Sequence, residues 1–69
     1  MNAVIRWTNK FSNETGYVKE FRKKEGYFVN TFDINTAKAY ASESTAKGII
    51  TLLKNTDEAI NNEFDIISL

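Results

Sequence analysis

The sequence predicts an α+β domain: a three-stranded antiparallel meander, two short helices packed on one of its faces, and a fourth strand at the C-terminus, in the order β-β-β-α-α-β. Three observations carry this expectation. Apolar residues alternate at a period of two in three segments of residues 1–32, the period then lengthens to that of a helix, and the sequence closes on the short apolar run Phe64–Leu69. At 69 residues the chain holds one domain, residues 1–69. A domain this short buries only about 60% of its unfolded surface. Its core must therefore come from large side chains, which 5 Phe, 3 Tyr and 1 Trp supply.

In residues 3–11, Ala3, Ile5, Trp7 and Phe11 fall on one side and Arg6, Thr8 and Lys10 on the other; Val4 is out of phase and Asn9 is a polar gap. Such alternation, with β-branched and aromatic residues, describes a half-buried strand. Ser12–Gly16 has the chemistry of a loop. Strands follow over Tyr17–Arg22 and Tyr27–Phe32, joined by Lys23-Lys24-Glu25-Gly26, whose glycine takes positive φ without steric cost. Pairing Arg22 with Tyr27 sets Phe21 opposite Phe28 and Tyr17 opposite Phe32 on one face. A slip by one residue would put the third strand's Phe residues beside Val18, Glu20 and Arg22. Pairing Phe11 with Tyr17 extends the same face, giving the rows Phe11–Tyr17–Phe32 and Trp7–Phe21–Phe28. Between them falls a row of Asn9, Lys19 and Asn30, so either a strand bulges there or the covering helices leave that row wet.

Asp33–Ala41 reads as a short helix with Asp33 or Asn35 as its N-cap. The stripe Ala46, Ile49, Ile50 and Leu53 is out of phase with Ile34, Ala37 and Ala41. The helix therefore breaks at Ser42-Glu43-Ser44, and a second one runs to a stop at Asn55. Gly48 inside it costs about 1 kcal/mol relative to Ala, which close helix–sheet contact would explain. Asp57–Ile60 adds one turn, and Phe64–Leu69 forms the fourth strand. Trp7, Phe21, Phe28, Ile49 and Leu53 are expected to be buried together.

Composition excludes much chemistry. With no Cys and no His, there is no thiol nucleophile, disulfide, Cys/His zinc site or Ser-His-Asp triad. Acid–base work would fall to carboxylates, Lys or Tyr, and the carboxylates sit in loops, at helix starts and on strand backs, where solvation or capping accounts for them. No catalytic residue, cofactor or metal is expected. Asp57, Glu58, Glu63 and Asp65 lie within nine residues but lack the alternation of a calcium loop. The net charge is zero, from 9 basic and 9 acidic residues. That balance suits neither a polybasic membrane anchor nor a DNA mimic. Residues 1–32 carry +3 and residues 33–69 carry −3, a mixture whose halves attract weakly. No stretch approaches the roughly 18 apolar residues of a membrane span, and the N-terminus lacks a signal peptide's apolar segment. Cytoplasmic residence, away from membranes, is the expectation.

The back of the predicted sheet shows the rows Arg6–Arg22–Tyr27, Thr8–Glu20–Val29 and Lys10–Val18–Thr31, with Val4 near Lys23 and Lys24. The front uses both helices, which leaves this face to solvent. Arg and Tyr anchor protein interfaces, and they also hold phosphate or stack on a base. Arg6, Arg22, Tyr27, Lys10 and Lys24 are therefore the candidate partner-binding residues. The plainer account is that Arg6 pairs diagonally with Glu20, Tyr27 covers its strand, and the lysines solubilise the hairpin. An alternative interface is the acidic segment Asp57, Glu58, Glu63 and Asp65, docking onto a basic groove.

The meander, followed by Ala37-x-x-Tyr40-x-Ser42-x-x-x-Ala46-x-x-Ile49-Ile50 and a terminal strand, resembles short phage and prophage proteins of low-GC Gram-positive bacteria over residues 16–69. The matching positions are helix-packing ones, so no functional residue is carried over. The resemblance implies a small protein that binds and inhibits host machinery, restriction and CRISPR effectors (an anti-CRISPR role) among it. Two function classes follow. One is a non-enzymatic protein-binding module, an inhibitor or adaptor acting on a host protein in the host cytoplasm, with homodimerisation through the sheet face or an edge strand as a further mode. The other is a small nucleic-acid binder that stacks a base on Tyr27 and holds phosphate with Arg6, Arg22 and the turn lysines. Affinity for phosphate falls log-linearly with salt, whereas an apolar protein interface is insensitive to it.

Overall fold

The computed structural model of the chain describes residues 2–69. The other strands are assembled around β1 (Ala3–Asn9). β4 (Asn62–Ser68) pairs with it from Ala3↔Ser68 to Asn9↔Asn62, β2 (Thr15–Arg22) flanks its other side, and β3 (Tyr27–Thr31) completes an antiparallel sheet of order β3-β2-β1-β4. The ladder continues one pair further, with the Leu69 N–H donating to the Asn2 carbonyl at 2.8 Å. Being central, β1 holds the most buried residues: Ala3, Val4 and Ile5 expose nothing and Trp7 only 6%. Val4 faces away from Ile5 and Trp7, opposite Ile67. That end of the back face is therefore closed, and Val4 is not beside exposed turn lysines.

The β2–β3 hairpin has the expected register at its turn, with Arg22 opposite Tyr27, Phe21 opposite Phe28, and Gly26 at φ 77°. The register then shifts between Val18 and Glu20, making Lys19 the extra residue of a β-bulge. The bulge lets Val18 and Phe21 both face the core, and it sets Tyr17 opposite Thr31 instead of Phe32.

The β1–β2 register differs from expectation. Trp7 lies opposite Gly16 and Arg6 opposite Tyr17, so Phe11 does not pair with Tyr17. The offset is odd, which turns Tyr17 from the core face to the back. Two local causes set it. The Asn9 side chain closes an early loop, its Oδ1 accepting from the amides of Phe11 (2.9 Å) and Ser12 (3.0 Å). The Trp7 indole then needs a bare backbone opposite: a Cβ built on Gly16 would stand 2.6 Å from its Cζ2. Phe11 is left on the loop, 78% exposed.

Paired positions of β1 and β2 run only from Arg6 to Thr8. Beyond them the chain that follows β3 enters the gap. The Ala3 N–H donates to the Tyr40 carbonyl (2.9 Å), the Tyr40 N–H returns to the Ala3 carbonyl (2.7 Å), and the Lys38 N–H donates to the Val18 carbonyl (3.1 Å). The helix expected over Asp33–Ala41 is therefore replaced. Asp33 caps only a 3-10 turn, Ile34–Thr36, and Ala37 is already extended. A longer helix would spend the Lys38 and Tyr40 amides internally and leave Ala3 and Val18 unsatisfied in the gap.

α1 (Glu43–Lys54) starts at the expected break, with Ser42 Oγ accepting from the Thr45 amide, and ends at Asn55. It lays Ala46, Ile50 and Leu53 on Ala3, Ile5, Trp7 and Val18, and Ser68 Oγ donates to Glu43 at 2.9 Å, tying its first turn to β4. α2 (Glu58–Asn61) is the expected single turn before β4. Of the expected core, Trp7 and Leu53 are buried, while Phe21, Phe28 and Ile49 are half-buried around it. The sheet curls enough for Phe28 on one edge strand to meet Phe64 on the other, ring centroids 5.6 Å apart. The polar row resolves in both anticipated ways. The bulge removes Lys19, and Asn9 and Asn30 line a wet recess.

Two glycines give opposite expectations. Gly16→Ala forces the indole off the sheet and should destabilise by about 1–3 kcal/mol. Gly48 has no heavy atom within 4 Å of an added Cβ, so the close sheet contact expected of it is absent. Gly48→Ala should then stabilise by about 0.5–1 kcal/mol through helix propensity alone. Urea midpoints of the two variants moving in the same direction would contradict this packing.

Candidate functional site

The observed register redistributes the predicted back-face residues. Arg6 faces Asp65 on β4 and Tyr17 on β2, not Arg22. Its Nε donates to Asp65 Oδ1 at 3.0 Å and its Nη2 to Oδ2, a two-pronged pair. The hydrogen bond and charge of Asp65 hold the guanidinium pKa above its ordinary value. Glu20, the expected diagonal partner of Arg6, instead pairs with Arg22 at 3.2 Å. Arg22 and Tyr27 remain together at the hairpin end beside Lys23 and Lys24, with Tyr27 43% exposed. Lys10 lies elsewhere: its Nζ donates to the Ala59 carbonyl (3.0 Å) and its amide to Asn61 (2.8 Å), tying the first loop to α2.

The acidic segment does not form a patch either. Asp65 is committed to Arg6, Glu63 shares a hollow with Lys10 and Lys54, and Glu58 lines the recess on the opposite face of the sheet. Among the described residues, no three carboxylates come together as a metal would require.

Sequence reasoning missed a groove of about 500 Å³ between β2, the Lys38–Tyr40 segment and α1. Phe21, Tyr40, Ile49 and Leu52 give it an apolar lining, and Lys19, Lys23 and Lys38 add three cations, with Glu20 at their side. Its construction follows from the two irregularities of the sheet. The bulge carries Lys19, and the inserted segment brings Lys38 and Tyr40 alongside. Ion pairs among the described residues are Arg6–Asp65 and Arg22–Glu20, so all three lysines lack a carboxylate within 4.0 Å. Burial raises the Tyr40 phenol pKa above its usual value. The one legible hint in the sequence was Lys19, a charge in the polar row of an aromatic strand.

Comparison with protein-family models, curated proteins and solved structures finds no match to this chain. No helix among the described residues is long and apolar enough to cross a membrane.

Two measurements check this geometry. The Arg6–Asp65 side chains are 40% and 48% exposed. A double-mutant cycle to Ala should therefore return a coupling of at most about 1 kcal/mol that shrinks with added salt. Tyr40 supplies a pH dependence. Its folded pKa lies above the ordinary 10.0, so its contribution is complete below pH 10 and is lost as pH rises through the folded value. Stability should fall more steeply above about pH 10 for the wild type than for Tyr40→Phe. Parallel stability curves would refute the burial of the phenol.

Proposed function

We propose that the protein is a non-enzymatic protein-binding module, an inhibitor or adaptor of the kind its resemblance to small phage proteins implies, with a host defence effector such as a CRISPR or restriction enzyme as the partner class. The observation that carries this reading is the lysine-rimmed groove. An apolar trough flanked by unpaired ammonium groups is complementary to a partner segment with apolar residues on one side and Asp or Glu on the other. The phosphate-binding alternative loses support from the same geometry. Both arginines assigned to it are engaged by carboxylates, Asp65 and Glu20, and the net charge of zero gives no long-range attraction to a polyanion. It keeps one specific observation in its favour: exposed Tyr27 opposite Arg22, beside Lys23 and Lys24.

Capture experiments test the choice. Immobilised wild-type protein should retain a host protein from nuclease-treated Gram-positive lysate. A Lys19→Glu, Lys23→Glu, Lys38→Glu variant with native circular dichroism should lose it, while an Arg22→Ser, Tyr27→Thr variant should keep it. Undiminished capture by the triple variant would overturn the groove as the docking site. Material captured only from lysate left untreated with nuclease, and lost with Arg22→Ser, Tyr27→Thr, would move the assignment to nucleic acid.

A further inference from the structure

The wet recess on the core side of the sheet has a chemistry of its own. About 230 Å³ in volume, it opens beside α2, and no α1 residue lines it. Trp7 and Phe28 form an aromatic wall, their ring centroids 6.4 Å apart and the rings inclined at 46°. Around it stand Glu14, Glu58, Asn9, Asn30 and Asn62, with no basic side chain among the lining residues. Lys10 belongs to the neighbouring hollow and is held by the Ala59 carbonyl.

Some of these polar groups are already committed within the fold. Asn9 Oδ1 is spent on the loop amides, and Asn62 Nδ2 on the Glu58 carbonyl. The carboxylates of Glu14 and Glu58 have no ion pair among the described residues. With the side-chain oxygens of Asn30 and Asn62, they leave an acceptor-rich rim against an aromatic wall. The buried Trp7 indole N–H, beside Gly16, has no acceptor and, being a donor, contributes nothing to holding a cation. Acceptors, net negative charge and a π surface together match one chemical class, a planar cation with several donors. Guanidinium stacks on aromatic faces and donates through five N–H groups in a fixed plane.

We propose that this recess binds the guanidinium head of an organic cation, through Glu14 and Glu58 with Asn30 and Asn62, against the Trp7 and Phe28 rings. The site is separate from the lysine groove, and neither assignment depends on the other.

Trp7 is the one tryptophan of the chain, so its emission and its indole N–H resonance follow the recess wall without interference from another indole. The probes are agmatine, blocked acetyl-arginine amide, and acetyl-citrulline amide as the neutral isostere of the latter. The two guanidinium probes should move the indole signal saturably, and citrulline at least tenfold more weakly. Glu14→Gln, Glu58→Gln should weaken binding at least tenfold with native circular dichroism retained. Asn30→Asp, which adds a third carboxylate without removing any contact of the fold, should tighten it. Agmatine binding alone would assign free small cations as the source. Binding of the blocked arginine would assign a partner's side chain. No saturable shift with either guanidinium probe, an equal response to citrulline, or no effect of the carboxylate and Asn30 substitutions would overturn the proposal.

Discussion

The arrangement of this domain depends on one contact, the Trp7 indole lying flat on Gly16. Only a residue without a Cβ allows that approach, and the rings of Phe28 and Phe32 both pack against Trp7. Once this pair is opposed, the β1–β2 register is determined and every neighbouring residue is assigned a face. Tyr17 goes to the back, Val18 goes to the core, and Arg6 is separated from Arg22. The seating of a bicyclic ring on the front thus decides which β2 residue Arg6 meets on the back. Arg6 lies opposite Tyr17 rather than Arg22 because Trp7 has taken Gly16, and the β1–β4 register supplies Asp65 on its other side.

The second organising constraint is backbone hydrogen bonding. β1 and β2 part beyond Arg6–Tyr17, and an open gap there would leave buried amides and carbonyls without partners. The segment Lys38–Tyr40 fills it with three backbone bonds, at the expense of a helix that local propensity alone would have formed. The same insertion delivers a lysine and a tyrosine to the flank of β2, where the bulge at Lys19 has already displaced another lysine. The groove is the product of two departures from regular structure. The insertion satisfies the backbone of the sheet, and the bulge turns Val18 and Phe21 together to the core; the three lysines drive neither.

This explains what could be read from the residues and what could not. The alternation in residues 3–11, the Phe21–Phe28 register, the break at Ser42-Glu43-Ser44, the Asn55 stop and the terminal strand were all legible, because each is written in a local pattern of a few residues. The β1–β2 register was not. An unbroken row of aromatic residues is a reasonable guess at a dry face, but it ignores the loop closure by Asn9 and the volume of an indole. The fate of Asp33–Ala41 was hidden for a related reason: its capping residue was right, and the competing partners, Ala3 and Val18, are remote in sequence. The predicted site residues stood side by side only under the unrealised register: Arg6 keeps the back face but lies apart from Arg22, Lys10 is tied to α2, and Arg22, Tyr27 and Lys24 stay together.

The pairing of β1 with β4 has a consequence for how the domain forms. The strand at the centre of the sheet comes from residues 3–9 and its full-length partner from residues 62–68, joined as far as Asn2 and Leu69. Contacts so far apart in sequence make folding slow to begin, because the long intervening segment must be closed into a loop before they can form. Until β4 arrives, one side of β1 stays unpaired and the apolar row around Ile5 lacks its neighbours Phe64 and Ile66. Until the β4 segment is in place, the chain therefore carries β1 with one open, adhesive edge.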